Sequence, residues 1–329
     1  MGYDVSYHAL AIDLIDEQFI PHVLGESTFS ERLRATAVRR ALTRRRANNW
    51  GLGCSAWMRE HSEVAAATGF DSHLHVWGRP FFIAEREPLA VAGRIDAWHR
   101  CAGDEDCDAL ARAQLEVLAE GLSSRVNLAD DHNAPDANAI ASMLFEKPDI
   151  LRDAVAALRR GEPLTMHDGS QRDPADVLSR HVPYVAVEFA AQVHPGWMDR
   201  GPVAPTMVLM AAGYLKAVDH FFVSPAVLFE SITEAFPGVS FEHLGNRLTS
   251  NYALGGLAPP HKVAELRHFL TEDPRIVPDL REAMAETLGI DEPDLVLRKW
   301  TEALTDAQAR DLPFIEASEI YSGIEGRMN

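Results

Sequence analysis

Cysteine is scarce in this sequence: Cys54, Cys101 and Cys107 are the three in 329 residues. An odd count without regular spacing argues against a disulfide-stapled framework of the secreted kind. Cys101 and Cys107 match neither a CxxC redox pair nor a zinc ribbon, so reduced thiols in a cytoplasmic protein are expected. Long apolar runs are missing as well. The longest, Met207 to Leu215, meets Lys216 directly and falls far short of the roughly 20 residues that span a bilayer. The opening MGYDVSYHAL has neither the basic nor the apolar region of a signal peptide. These absences predict a soluble chain with no membrane partner. No P-loop, no GxGxxG after a strand, no GxSxG and no HExxH occurs, so no nucleotide cofactor and no serine-hydrolase chemistry are expected.

Positive charge is the other shortage. Lys and Arg number 31 against 49 Asp and Glu, a formal net charge of −18. Such a field repels nucleic acid, so none is expected as a partner, and it favours a basic protein partner. What positive charge exists is concentrated. Arg32, Arg34, Arg39, Arg40, Arg44, Arg45 and Arg46 lie close together, against the global sign. No stacking aromatics are interleaved among them, which favours pairing with carboxylates over nucleic-acid contact.

The rest is the composition of a globular protein, 47% hydrophobic and 24% charged. Residues 3–11 alternate as a strand does, with Asp4, Ser6 and His8 on one face and Val5, Tyr7 and Ala9 on the other. A short helix is expected across Asp16 to Leu24. Thr28 and Glu31 read as a capping box opening a helix that runs to about Ala47 and is ended by Asn48, Asn49, Gly51 and Gly53. Residues 70–84 (FDSHLHVWGRPFFIA) form the best strand candidate. Helices follow at 105–124, 136–146, 148–160, 277–288 and 294–309, and Pro174, Pro225 and Pro260 each sit in a first helical turn. Residues 183–193 fit helix or buried strand. The pattern predicts a mainly α protein with a small β-sheet (α+β) formed by 3–11 and 73–84, and a bundle-like C-terminal half. Residues 1–320 read as a single globular unit, with 1–160 and 170–320 as alternative halves and 321–329 as a tail.

The strongest chemical constellation is Asp71-Ser-His73-Leu-His75. On a strand, a period of two places Asp71, His73 and His75 on the same face. Two imidazoles at that spacing can converge on one divalent ion such as zinc, manganese or iron, assisted by the carboxylate. His8, on the first strand, is a fourth candidate ligand, and His181, His194 and His220 are the candidates further along. A metal here would lower the pKa of a bound water for hydrolysis. Trp197, Asp199 and Arg200 are read as lying in a loop, where sites often occur.

The segment DSHLHVW resembles the first metal-binding strand of amidohydrolase-type metalloenzymes, in which an HxH pair ligates zinc or a related ion. That resemblance implies a metal-dependent hydrolase and covers these seven residues only. The opening MGYDVSYH and the segment SNYALGGLAPPHKVAELRHFL resemble poorly characterised bacterial families, some encoded near toxin systems. That resemblance implies a bacterial, cytosolic protein with a non-enzymatic, toxin-neutralising role, and an acidic chain suits a basic toxin partner.

Overall fold

The computed structural model describes residues 4–63, 78–130 and 135–321. It is organised around an antiparallel sheet whose strands come from distant parts of the chain. These are β1 (Asp4–Ala9), β4 (Trp197–Arg200), β5 (Leu254–Ala258) and β6 (Phe314–Ser318), in the order β4-β1-β6-β5. A separate small ribbon pairs β2 (Leu164–Thr165) with β3 (Gln171–Arg172). In the main sheet Tyr7 lies opposite Trp197 on one neighbour and Glu316 on the other. Because side chains alternate across a strand, Val5, Tyr7, Ala9, Trp197 and Phe314 enter one hydrophobic cluster, while Leu254, Leu257, Ile315 and Ala317 enter a second. Both faces are covered, and every residue of β1 is buried. The polar row Asp4, Ser6, His8 is therefore interior.

The helices form the two covering layers. α1 (Ile12–Leu14), a π-turn at Ile15–Phe19 and α2 (Ile20–Val23) follow β1. Next come α3 (Glu31–Glu60), α4 (Pro88–Arg100), α5 (Asp104–Leu118), α6 (Ala137–Arg160) and α7 (Pro174–Val193). The remainder are α8 (Pro205–Ala211), α9 (Leu215–Phe221), α10 (Glu230–Ala235), α11 (Pro260–Thr271), α12 (Ile276–Glu282) and α13 (Pro293–Ala309). α13 lies against β1 and packs with α11 and α4 on the Tyr7 face, while α6 and α7 pack together in the second cluster. The mainly α, α+β class expected from the pattern is the one formed. Among the described residues no helix is long and apolar enough to cross a membrane.

Several local expectations are corrected. α3 is capped by Ser30, whose side chain accepts from Leu33 N at 3.2 Å, and it continues to Glu60 rather than stopping near Ala47. Gly53 does not end it. A Cβ there would overlap the Asn127 carbonyl oxygen, so this glycine allows the 127–129 backbone to cross the helix closely, and Ala129 N donates to Asn49 O at 3.2 Å. Residues 136–146 and 148–160 are one helix, α6, with Pro148 inside it. Residues 183–193 resolve as helix, the second half of α7. Pro174, Pro225 and Pro260 do occupy first turns. The described part of the 73–84 strand, residues 78–84, is a turn and extended coil, and its place in the sheet is taken by β4, β5 and β6.

Candidate functional site

A buried polar seam runs between α13 and the chain from the end of α7 through β4. On α13 and its C-cap, Lys299, Glu302, Asp306 and Arg310 recur at intervals of three, four and four residues. At 100° per residue these positions form one stripe along the helix. The facing chain answers in antiparallel order. Asp199 Oδ2 lies 3.1 Å from Lys299 Nζ, Trp197 Nε1 donates to Glu302 Oε2 at 2.8 Å, and His194 Nε2 lies 3.1 Å from Asp306 Oδ2. Lys299, Glu302 and Asp306 are buried despite their charges, and buried charges persist only when paired.

The lower end of the seam is closed by the residues that follow position 77. Arg79 forks onto Glu302, with Nε at 3.1 Å from Oε2 and Nη2 at 2.5 Å from Oε1, and donates Nη1 to Ile83 O at 2.7 Å. Gly78 lies over the ammonium: a Cβ there would come 2.7 Å from Lys299 Nζ, and its φ of +77° also suits glycine. Its carbonyl accepts from Met198 N at 2.8 Å. Burial pushes Lys299 below its ordinary pKa, against the pull of Asp199. Opposite charges here are matched as ion pairs and the side chains are sealed, so this end reads as a structural clamp, although Lys299 Nζ and Asp199 Oδ2 meet without hydrogen-bond geometry.

The upper end is different. At the corner where β1, α3, α4, the end of α7 and α13 meet, basic and aromatic groups gather around the His194–Asp306 pair. Arg310 donates Nε to Asp306 Oδ1 at 2.8 Å and Nη2 to Asp96 Oδ1 at 2.7 Å. Burial alone would raise Asp306, but the bond from His194 and the charge of Arg310 hold it below the usual carboxylate range. The rings of His99 and His194 meet edge to face with centroids 5.8 Å apart. Arg40 donates Nη1 to the Val193 carbonyl oxygen. Tyr321 Oη lies 3.3 Å from His8 Nδ1 and accepts from Gly196 N at 2.6 Å, and its ring stacks under Arg44 at 4.3 Å.

Polar atoms at this corner lack partners. His8 Nε2, His99 Nε2 and Arg40 Nε are buried without a hydrogen bond among the described residues, whereas buried polar groups are ordinarily bonded. Burial, then the neighbouring His194 and Arg44, drives His8 down to about 3. Burial, then Arg40, His194 and Arg310, drives His99 down to about 3. Both rings are neutral at pH 7. Arg40, His99 and Arg310 are half-buried, although Arg40 Nε and His99 Nε2 themselves are covered.

Of the residues singled out in the sequence, Asp71, His73 and His75 lie outside the described residues. His8 is described, and among the described residues no group of three His, Cys, Asp or Glu could hold a metal. His194 joins the corner. His220 pairs on the surface with Glu265 at 3.1 Å, and His181 is exposed. Trp197, Asp199 and Arg200 form β4 rather than a loop. The arginine-rich segment is only in part a carboxylate-paired face. Arg46 forks onto Asp108 at 2.8 and 2.7 Å, but Arg34 lies over Phe145, and Arg40 and Arg44 turn inward to the corner. The stripe on α13 was missed, although its helical spacing was readable. No protein-family model matches the chain, and neither a curated protein nor a solved structure is significantly similar to it.

Proposed function

We propose that the chain is an acid–base hydrolase whose site is the corner around His194. The observation that carries this reading is the buried Asp306 carboxylate 3.1 Å from His194 Nε2, beside ring and guanidinium nitrogens that have no hydrogen-bond partner among the described residues. A carboxylate bound to one ring nitrogen fixes the tautomer and stabilises the imidazolium that forms when the other nitrogen takes a proton. In this reading His194 Nδ1 is the base that activates a water. Arg40 Nε and His99 Nε2 supply donors for an acceptor oxygen of the substrate. The test is turnover of chromogenic carboxylic and phosphoric esters by the wild type and by His194→Gln, with folding checked by circular dichroism. Wild-type turnover lost in the variant supports the reading. Turnover unchanged in a folded His194→Gln sinks it.

A divalent-metal reading rests on the sequence constellation Asp71, His73 and His75, which lies outside the described residues. Elemental analysis of protein purified without a histidine tag decides it. Stoichiometric metal lost on His73→Ala/His75→Ala supports it; metal-free folded protein that takes up no added zinc, manganese or iron contradicts it.

A further inference from the structure

The charge of the ligand at the corner follows from how the cations there are satisfied, and it rests on the corner being the site. Among the described residues Arg310 holds two carboxylates, Asp306 and Asp96, at 2.8 and 2.7 Å. Asp306 is also taken by His194 at 3.1 Å. Arg40 meets no carboxylate at ion-pair distance among the described residues. One of its nitrogens donates to a backbone carbonyl and its Nε donates to nothing. His99 Nε2 is in the same position, and its ring faces His194.

A guanidinium N–H cannot accept a hydrogen bond, so the complement it lacks is an acceptor. The imidazoles alone could equally serve a metal cation, but the surrounding guanidinium charges oppose one. Burial and the nearby charges of Arg39 and Arg310 hold Arg40 below its ordinary value, with Asp96 offsetting only part of the effect, and a further negative charge would relieve that repulsion. Water could satisfy individual nitrogens but would leave it in place. Arg40 and Arg310 are half-buried, so part of each side chain reaches solvent.

We propose that the molecule bound at this corner carries an oxyanion, a carboxylate or a phosphate, seated between Arg40 and His99 and facing His194. Planar forked donors suit either group. The bound charge also favours protonation of His99, so binding takes up a proton and tightens as the pH falls. The groups facing His99 are Arg40, His194, Arg310 and Asp306. Of these, the arginines stay charged throughout.

The test is isothermal titration of the intact protein with inorganic phosphate and with acetate, at low ionic strength and at two pH values, for the wild type, Arg40→Gln, Arg40→Lys and Arg59→Gln. Arg59 is an exposed residue of the same helix and reports non-specific attraction. Expected are saturable binding of at least one anion, tightening toward lower pH, and a loss of roughly tenfold or more in Arg40→Gln, the size of a charged hydrogen bond. Arg40→Lys should fall between, keeping the charge without the fork, and Arg59→Gln should match the wild type. The preferred anion distinguishes phosphate from carboxylate. No saturable binding, or binding equal in all variants, overturns the proposal. The two readings fail separately. Turnover dependent on His194 without anion binding removes the oxyanion and leaves the acid–base site. Binding dependent on Arg40 with turnover indifferent to His194→Gln removes the hydrolase and leaves the anion site.

Discussion

His194 and Asp306 face each other at 3.1 Å across the seam, one at the end of a helix and the other inside one. The imidazole follows the last turn of α7, where His194 N still bonds Ala190 O at 2.8 Å. The carboxylate is held from its far side by Arg310 Nε at 2.8 Å. Neither partner can turn without abandoning a buried charge, so the pair is pre-oriented rather than assembled on binding. This arrangement leads to the predictions that follow.

Asp306→Asn keeps the shape and removes the charge. Breaking a buried ion pair from one side costs about 3–5 kcal/mol, and urea denaturation at pH 7.5 should show a loss of that order. Nitrogen NMR should also show the His194 ring losing its preference for the proton on Nε2. An unchanged midpoint and tautomer would mean that the carboxylate does not orient the ring.

Acid should weaken the fold through His8 and His99. Each has a folded pKa of about 3, below the ordinary value near 6.5. Between these values the unfolded chain binds protons that the folded chain does not, so stability is complete above about pH 6.5 and falls as pH falls. The slope reaches about 1.4 kcal/mol per pH unit for each ring. Denaturation midpoints from pH 7.5 down to 4.5 measure it, and His8→Gln should flatten the curve. A pH-independent midpoint would contradict buried neutral histidines.

Arg79→Met and Glu302→Gln should each destabilise by about 3–5 kcal/mol, because each strands a buried charge. The double variant should lose less than the sum, since the pair is removed together. Strict additivity would show that the two residues, joined by two hydrogen bonds, are not energetically coupled.

Gly53→Ala sets two effects against each other. Alanine in a helix interior is favoured over glycine by about 1 kcal/mol, but a Cβ here overlaps the Asn127 backbone. Overlap with the backbone prevails, so the variant should unfold at lower denaturant than the wild type. A stabilised variant would mean that the 127–129 crossing yields readily.

The helical content was readable because long helices carry a 3.6-residue pattern over many turns and announce themselves with Asp136 or a first-turn proline such as Pro174. The sheet was mostly hidden. β4, β5 and β6 are four or five residues long, too short for alternation, and β5 carries Gly255 and Gly256, poor strand formers. Both sheet faces are buried, so no polar face marked them. At the corner, Arg40, Arg44, His8 and His194 stand out in the sequence, but nothing local ties them to one another or to His99 and Asp306. The stripe Lys299, Glu302, Asp306, Arg310 was the legible signal. Charges at helical spacing usually mark a solvated face, and only the packing shows this one to be interior.

The most direct test of the central claim, that the corner binds the substrate beside His194, is a histidine ring-nitrogen NMR titration of the wild type with phosphate and acetate. The His99 and His194 ring signals should move together and saturably with at least one of these anions, and the movement should be lost in Arg40→Gln. Ring signals that stay still with both anions, or that move alike in the wild type and in Arg40→Gln, would contradict it.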